Sequence, residues 1–114
     1  MIPDINIKEF FLWLMGKRQR FRVTGNSMLP LLKPQEEVLI DPEINDKKLP
    51  KVGEIVVAQH PTRKELQLIK RITFITAEGH YFLQGDNLQE STDSRVFGTV
   101  NLEQIVGRVT CRFG

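Results

Sequence analysis

The sequence predicts a mainly β fold, a compact antiparallel β domain with one short N-terminal helix. Three observations carry that class. Beyond residue 20, β-branched and aromatic residues gather in short runs. Pro, Gly, Asn and Asp punctuate those runs. Helical spacing of apolar residues is concentrated near the start of the chain. With 114 residues, 40% hydrophobic and 26% charged, the chain suits a single domain whose core needs no metal or disulfide staple.

The helix is expected over residues 4–16, with Asp4 as N-cap and Gly16 as the stop. Ile7, Phe10, Phe11 and Leu14 recur on one face, widened by Leu12 and Trp13. That face either packs on the body of the domain or serves as a docking surface for membrane or substrate, backed by Lys17, Arg18, Arg20 and Arg22. Strands are expected at 21–23, 37–41, 53–59, 66–75, 81–84 and 105–111, a β core over about 21–111. Pro34-Gln35, residues 42–50 and Gly85-Asp86-Asn87 are read as turns, with Asp46-Lys47-Lys48 in an exposed loop. No repeat or linker divides the chain, so residues 1–114 are read as one domain.

Several function classes are argued against. A net charge of +2 is too small to suggest nucleic acid as a partner. The longest strongly apolar run, Phe10 to Met15, falls far short of the ~20 residues that cross a bilayer. Acidic Asp4 and Glu9 precede it where a secretory signal carries cations, so a cytoplasmic location is expected. Cys111 has no second cysteine to pair with and reads as a buried strand thiol. His60 and His80 are isolated and lack metal-ligand spacing; no cofactor is expected.

Three segments can carry chemistry. In Thr24-Gly25-Asn26-Ser27-Met28-Leu29-Pro30, a serine leaves a strand through a Gly-Asn turn. Such a turn can project the hydroxyl and leave backbone N–H groups for an oxyanion, although serines in turns more often bond the local backbone. On the strand around Lys70, a period of two puts Leu66, Leu68, Ile72 and Phe74 on the lysine's face, with Gln67, Arg71, Thr73 and Ile69 opposite. Burial there lowers the ammonium pKa and makes a general base. The competing reading is a lysine whose stem packs while its head reaches water. The third segment, Gly85 to Gly98, is rich in small polar residues, and Asp93 and Arg95 are close enough to pair. A serine there can aim the lone pair of a buried amine; a plain surface loop has the same composition.

Together these segments resemble the type I signal peptidase family. Gly25-Asn26-Ser27-Met28-Leu29-Pro30 is similar to its nucleophile box and Ile69-Lys70-Arg71-Ile72 to its lysine box. Residues 85–98 match its last box: Gly-Asp-Asn, three residues, Ser, one residue, Asp-Ser-Arg, then Phe-Gly. The related repressor-cleavage domains lack that box. The resemblance implies a fold of the signal peptidase catalytic-core type and a serine endopeptidase with a Ser27–Lys70 dyad. Ser27 would attack, Lys70 would move the proton, and Ser91 would orient Lys70. Asp93 and Arg95 would hold the last loop, while Gly25, Asn26, Met28 and Pro30 would shape the turn and the substrate cleft.

Two departures stand out. Gly25 sits where some family members carry an oxyanion-hole serine, and Pro34-Gln35-Glu36 replaces a Pro-Gly-Asp turn, a change expected to be tolerated. A small core without a membrane span resembles the maturation proteases of nickel-type superoxide dismutase. That likeness implies a precursor protein as partner, with a short N-terminal leader removed. The alternatives are a signal peptidase cleaving export signals at a membrane surface, with peripheral contact through helix 4–16, and a self-cleaving or non-enzymatic regulatory module of the same fold.

Overall fold

The computed structural model describes residues 2–114. It contains helix α1 (Ile7–Leu14) and strands β1 (Gln19–Arg22), β2 (Glu37–Asp41), β3 (Ile55–Gln59), β4 (Gln67–Ile75), β5 (Tyr81–Gln84) and β6 (Ile105–Phe113), with a one-turn helix α2 (Ser94–Phe97). The described strands form one antiparallel sheet in the order β1-β2-β6-β3-β4-β5.

Strand β3 explains why the sheet has a core on each face. Its Ile55 and Val57 join Val23, Met28, Leu32, Val38, Ile40 and Ile69 in one cluster. The alternate residues Val56 and Ala58 join Ile72, Tyr81, Leu83, Val100 and Ile105 in another. A strand covered on both faces gains from an unbroken apolar run, and Ile-Val-Val-Ala is one. β1 lies at an edge, where Arg20 and Arg22 project charge that discourages pairing with another chain.

The helix is shorter than expected, and its cap is Asn6 rather than Asp4. The Asn6 side chain accepts the Glu9 N–H at 2.8 Å. Asp4 is withheld because residues 2–4 are pinned to β6: Arg112 N–H donates to Pro3 O at 2.9 Å, Asp4 bridges Arg112, and Ile2 is in the core. Gly16, one residue beyond the Met15 cap, takes φ +80°, so its role as the stop agrees with the backbone.

Of the two settings expected for the apolar face of α1, packing on the body is not the one observed. Ile7, Phe10, Phe11 and Leu14 point outward and are exposed. The body is contacted instead by Trp13, which meets the Phe113 ring at 4.8 Å, and by Glu9. The Glu9 carboxylate accepts from Arg18 Nε at 2.9 Å and from Thr110 Oγ at 2.6 Å. Those polar contacts turn the apolar stripe away from the sheet.

Phe74 also departs from expectation. A register shift between Ile72 and Phe74 breaks the alternation of β4, leaving Ile72 wholly buried and Phe74 exposed. Ile69, assigned to the more polar face, is buried in the first cluster. Cys111 is buried, and burial raises its thiol pKa above the ordinary value. His80 is exposed, and His60 Nδ1 accepts the Thr62 and Arg63 N–H groups, a turn role.

Candidate active site

Lys70 stands in the middle of β4, opposite Val56 of β3, and is 95% buried. Its amine donates to Ser91 Oγ at 3.2 Å. Burial is the main cause that lowers the Lys70 pKa; the Asp93 carboxylate opposes the shift and the Arg95 guanidinium adds to it. A lysine with its head in open water would show neither the burial nor the partner.

The loop after β5 supplies that partner and holds it in place. Ser91 Oγ donates to Asp93 Oδ2 at 2.7 Å and accepts the Gly85 N–H at 3.2 Å. Since the Ser91 proton is committed to Asp93, the hydroxyl meets Lys70 as an acceptor. Asp93 is fully buried and caps α2 by accepting the Arg95 N–H at 3.2 Å. It also accepts from Gly85 N–H at 3.0 Å and from Arg95 Nε at 2.9 Å. Burial alone would raise its pKa, but the hydrogen bonds from Arg95, Ser91 and Gly85 win and hold it at about 2. Arg95 further donates to Leu88 O at 2.7 Å, tying the loop to itself.

Ser27 is half-buried in the turn that follows β1, between exposed Asn26 and buried Met28. The turn begins at Gly25, whose φ of +74° favours glycine, and it contains a cis Leu29–Pro30 bond. Met28 is wholly buried among Val23, Leu32 and Ile69, so of the two roles expected of it, shaping the turn and shaping the cleft, its burial fits the first. Gly25, Asn26 and Pro30 are exposed on the outer side. Among the described residues, the Ser27 N–H donates to no partner, which leaves it free for a developing oxyanion.

The two halves of the site are joined by contacts between residues distant in sequence. Asn87 N–H donates to Ser27 O at 2.8 Å, and Asn87 Nδ2 donates to Asn26 O at 3.1 Å. Asp86 receives Arg71 in a two-pronged pair, at 2.8 and 2.9 Å, fixing the loop to the strand that carries Lys70. Gly85 lies between the groups: a Cβ there would sit 2.5 Å from Ser27 O and would collide with Ser91 Oγ. The Gly-Asp-Asn run was visible in the sequence, but not its contact with the serine turn. Ser94 was also missed; its hydroxyl accepts the Leu83 N–H at 2.8 Å and docks α2 on β5.

The structure therefore brings the Ser27 turn, Lys70, Ser91, Asp93 and Arg95 into one constellation. A direct hydrogen bond between Ser27 Oγ and Lys70 Nζ is not among those formed by the described residues. Catalytic hydrogen bonds are often long in the free enzyme and tighten around substrate.

Comparison with known proteins agrees with this geometry. Residues 7–75 and 74–113 match the family model described as signal peptidase, peptidase S26. The mitochondrial ATP-independent inner membrane protease subunit 1b of Arabidopsis thaliana is 33% identical over 110 residues, covering 77% of this chain and 65% of its own length. Subunit 1a of the same plant is 29% identical over 137 aligned residues, covering 96% of this chain and 81% of its own. Signal peptidase IB of Staphylococcus aureus is 46% identical over a shorter stretch of 39 residues, 34% of this chain and 20% of its own. The chain thus spans about two thirds of the first of these relatives.

Proposed function

Starting from its membership of the signal peptidase family, peptidase S26, we propose that this chain is a serine endopeptidase that removes an N-terminal segment from a precursor protein. Ser27 Oγ attacks the scissile carbonyl. Neutral Lys70 takes the hydroxyl proton and later delivers it to the leaving amine. Ser91 positions the lysine by accepting from its amine, so the nitrogen lone pair is directed elsewhere. The Ser27 N–H steadies the oxyanion, and one such donor contributes ~2.7–4 kcal/mol in enzymes where it has been removed. With glycine at position 25, no side-chain hydroxyl adds a second donor from that residue.

The observation that carries this reading is the buried Lys70 amine on Ser91, in a loop that also grips the Ser27 turn. As substrate class we propose export or sorting signals of precursor proteins. The relatives are named as inner membrane protease subunits and a signal peptidase, which favours that class over the nickel-type superoxide dismutase leader. No helix among the described residues is long and apolar enough to cross a membrane. Fractionation of cells checks the expected cytoplasmic location.

The test is intact-mass analysis after incubation with an exported-protein precursor and, separately, a nickel-type superoxide dismutase precursor. Wild type is expected to shorten the first, while Ser27→Ala and Lys70→Met leave it intact. Shortening by Ser27→Ala would remove the serine from its role. Shortening of the dismutase precursor alone would return the substrate to that narrower class.

A further inference from the structure

We propose, on the basis of the proteolytic reading, that residues 2–4 are an autoinhibitory strap that competes with the precursor for the approach to Ser27 and Lys70.

Ile2 is the only buried residue of the segment 2–6 ahead of α1. It joins the cluster that holds Met28 and Ile69, the chain neighbours of Ser27 and Lys70. At 8% it is the most exposed buried member of that cluster, so it closes the cluster from outside like a plug. A pocket of about 140 Å³ opens beside Ile2 and Pro3, lined also by Leu31, Ile55, Arg71 and Val109. Its walls therefore come from the strap, from the segment that follows Ser27 and from the strand that carries Lys70. Ile2 fills only part of a recess that reaches both halves of the site.

The backbone of the strap shows what can replace it. β3 pairs with β6 only as far as Arg108. At Arg112 the β2 side is taken by Val38, so Asp4, which bridges Arg112 in the parallel sense, lies on the side that β3 has left. The Arg112 N–H donates to Pro3 O at 2.9 Å, and Arg112 Nη1 donates to Ile2 O at 2.9 Å. Both bonds go to backbone carbonyls. Any extended peptide with one apolar side chain for the recess can make them. A precursor drawn out beside Ser27 thus meets a place already held by a segment of the same shape. Pro3 and Asp4 are exposed, so Ile2 and the bonds to Arg112 are the main ties of the strap. Lifting it exposes one isoleucine and frees those carbonyls, losses that a bound apolar residue of the precursor offsets.

The assay compares the intact wild type with Ile2→Asp, in which a carboxylate would have to be buried for the strap to dock. Ile2→Asp is expected to lower the thermal midpoint, because an apolar contact is lost. It is expected nevertheless to raise kcat/KM on the exported-protein precursor by at least ~3-fold, chiefly through KM, as the competent state becomes more populated. Ile2→Ala, a milder change, is expected to act in the same sense. A residue serving stability alone would lower both quantities. Folded Ile2→Asp and Ile2→Ala chains that cleave no faster than wild type would overturn the proposal. A second measurement keeps the strap nearly apolar: Ile2→Cys in a Ser27→Ala chain, treated with iodoacetamide and read by peptide mass. The introduced thiol is expected to react at least ~3-fold faster when precursor saturates the protein, with buried Cys111 as the internal control. An unaltered rate with precursor bound would also overturn the proposal. Cleavage by wild type without gain in the variants removes the strap alone. Absence of cleavage by wild type and variants alike removes the proteolytic reading, and the role of the strap with it.

Discussion

Gln35 adopts φ +75° in the turn before β2, a left-handed conformation that costs an L-residue with a side chain roughly 1–2 kcal/mol. Its N–H donates to Val23 O at 2.8 Å, so the strained residue helps fasten the segment leading to Ser27. Gln35→Gly is expected to stabilise the fold by roughly 0.5–1 kcal/mol in urea denaturation, after glycine's extra unfolded-state entropy is subtracted. The replacement of the family's Pro-Gly-Asp turn is therefore accommodated at a measurable cost. Lys70 carries a different conflict. Its pKa is lowered chiefly by burial, while the unfolded lysine titrates near its ordinary value of ~10.4. Between the two values the unfolded chain binds more protons, so this residue makes stability rise with pH across that window. Lys70→Met is accordingly expected to raise stability at neutral pH and to lose that pH dependence, seen by denaturation at pH 7 and pH 10. Activity behaves in the same sense: the wild-type rate falls as pH drops through the folded-state value, because protonation removes the base. A rate that stays flat from neutral to acid pH would exclude Lys70 from that role.

At the level of elements, the loop between β5 and α2 is a rigid bracket rather than a loose surface turn. Ser91→Ala removes the acceptor for Lys70 and one of the donors to Asp93. The expected outcome is a drop in kcat of at least ~10-fold, a fraction of the 10²–10⁴ that positioned acid–base groups supply. KM should change little and the acid limb of the pH profile should shift. Ser91→Thr, which restores a hydroxyl, should recover part of the rate. Most strands were legible because alternation and turn residues are local properties: β2 and β5 begin and end where the sequence reading put them. The burial of Lys70 was legible from the apolar setting of its strand, and the candidate segments that meet at the site from motif resemblance. What was not legible depends on distant partners. Periodicity says which residues of α1 share a face, but Phe113 and Thr110 decide which way that face points. Likewise the bulge at Ile72–Phe74 is a property of the β4–β5 pair, and the need for a bare Gly85 arises only where Ser27 O approaches.

For the whole molecule, acid is the relevant stress. The Asp93 pKa is depressed to about 2 in the fold, against an ordinary aspartate near 3.9. Its contribution, on the order of 2 kcal/mol, is present above the ordinary value and disappears as pH falls from ~4 to ~2. Asp93→Asn is expected to lower stability at neutral pH and to flatten the acid dependence, measured by denaturant midpoints at a series of pH values. The strand order carries one more consequence, for biosynthesis. β6 (Ile105–Phe113) follows every other strand in the chain yet lies in the interior of the sheet, bonded to β2 on one side and β3 on the other. The serine turn leaves the β1–β2 side and the lysine stands on the β3–β4–β5 side. During translation, the sheet cannot be completed until β6 has left the ribosome, so until then only the 85–98 loop and the core contacts hold the Ser27 turn against the strand that carries Lys70. The order of the strands thus makes the full support of the proposed site wait for the last strand of the described sheet.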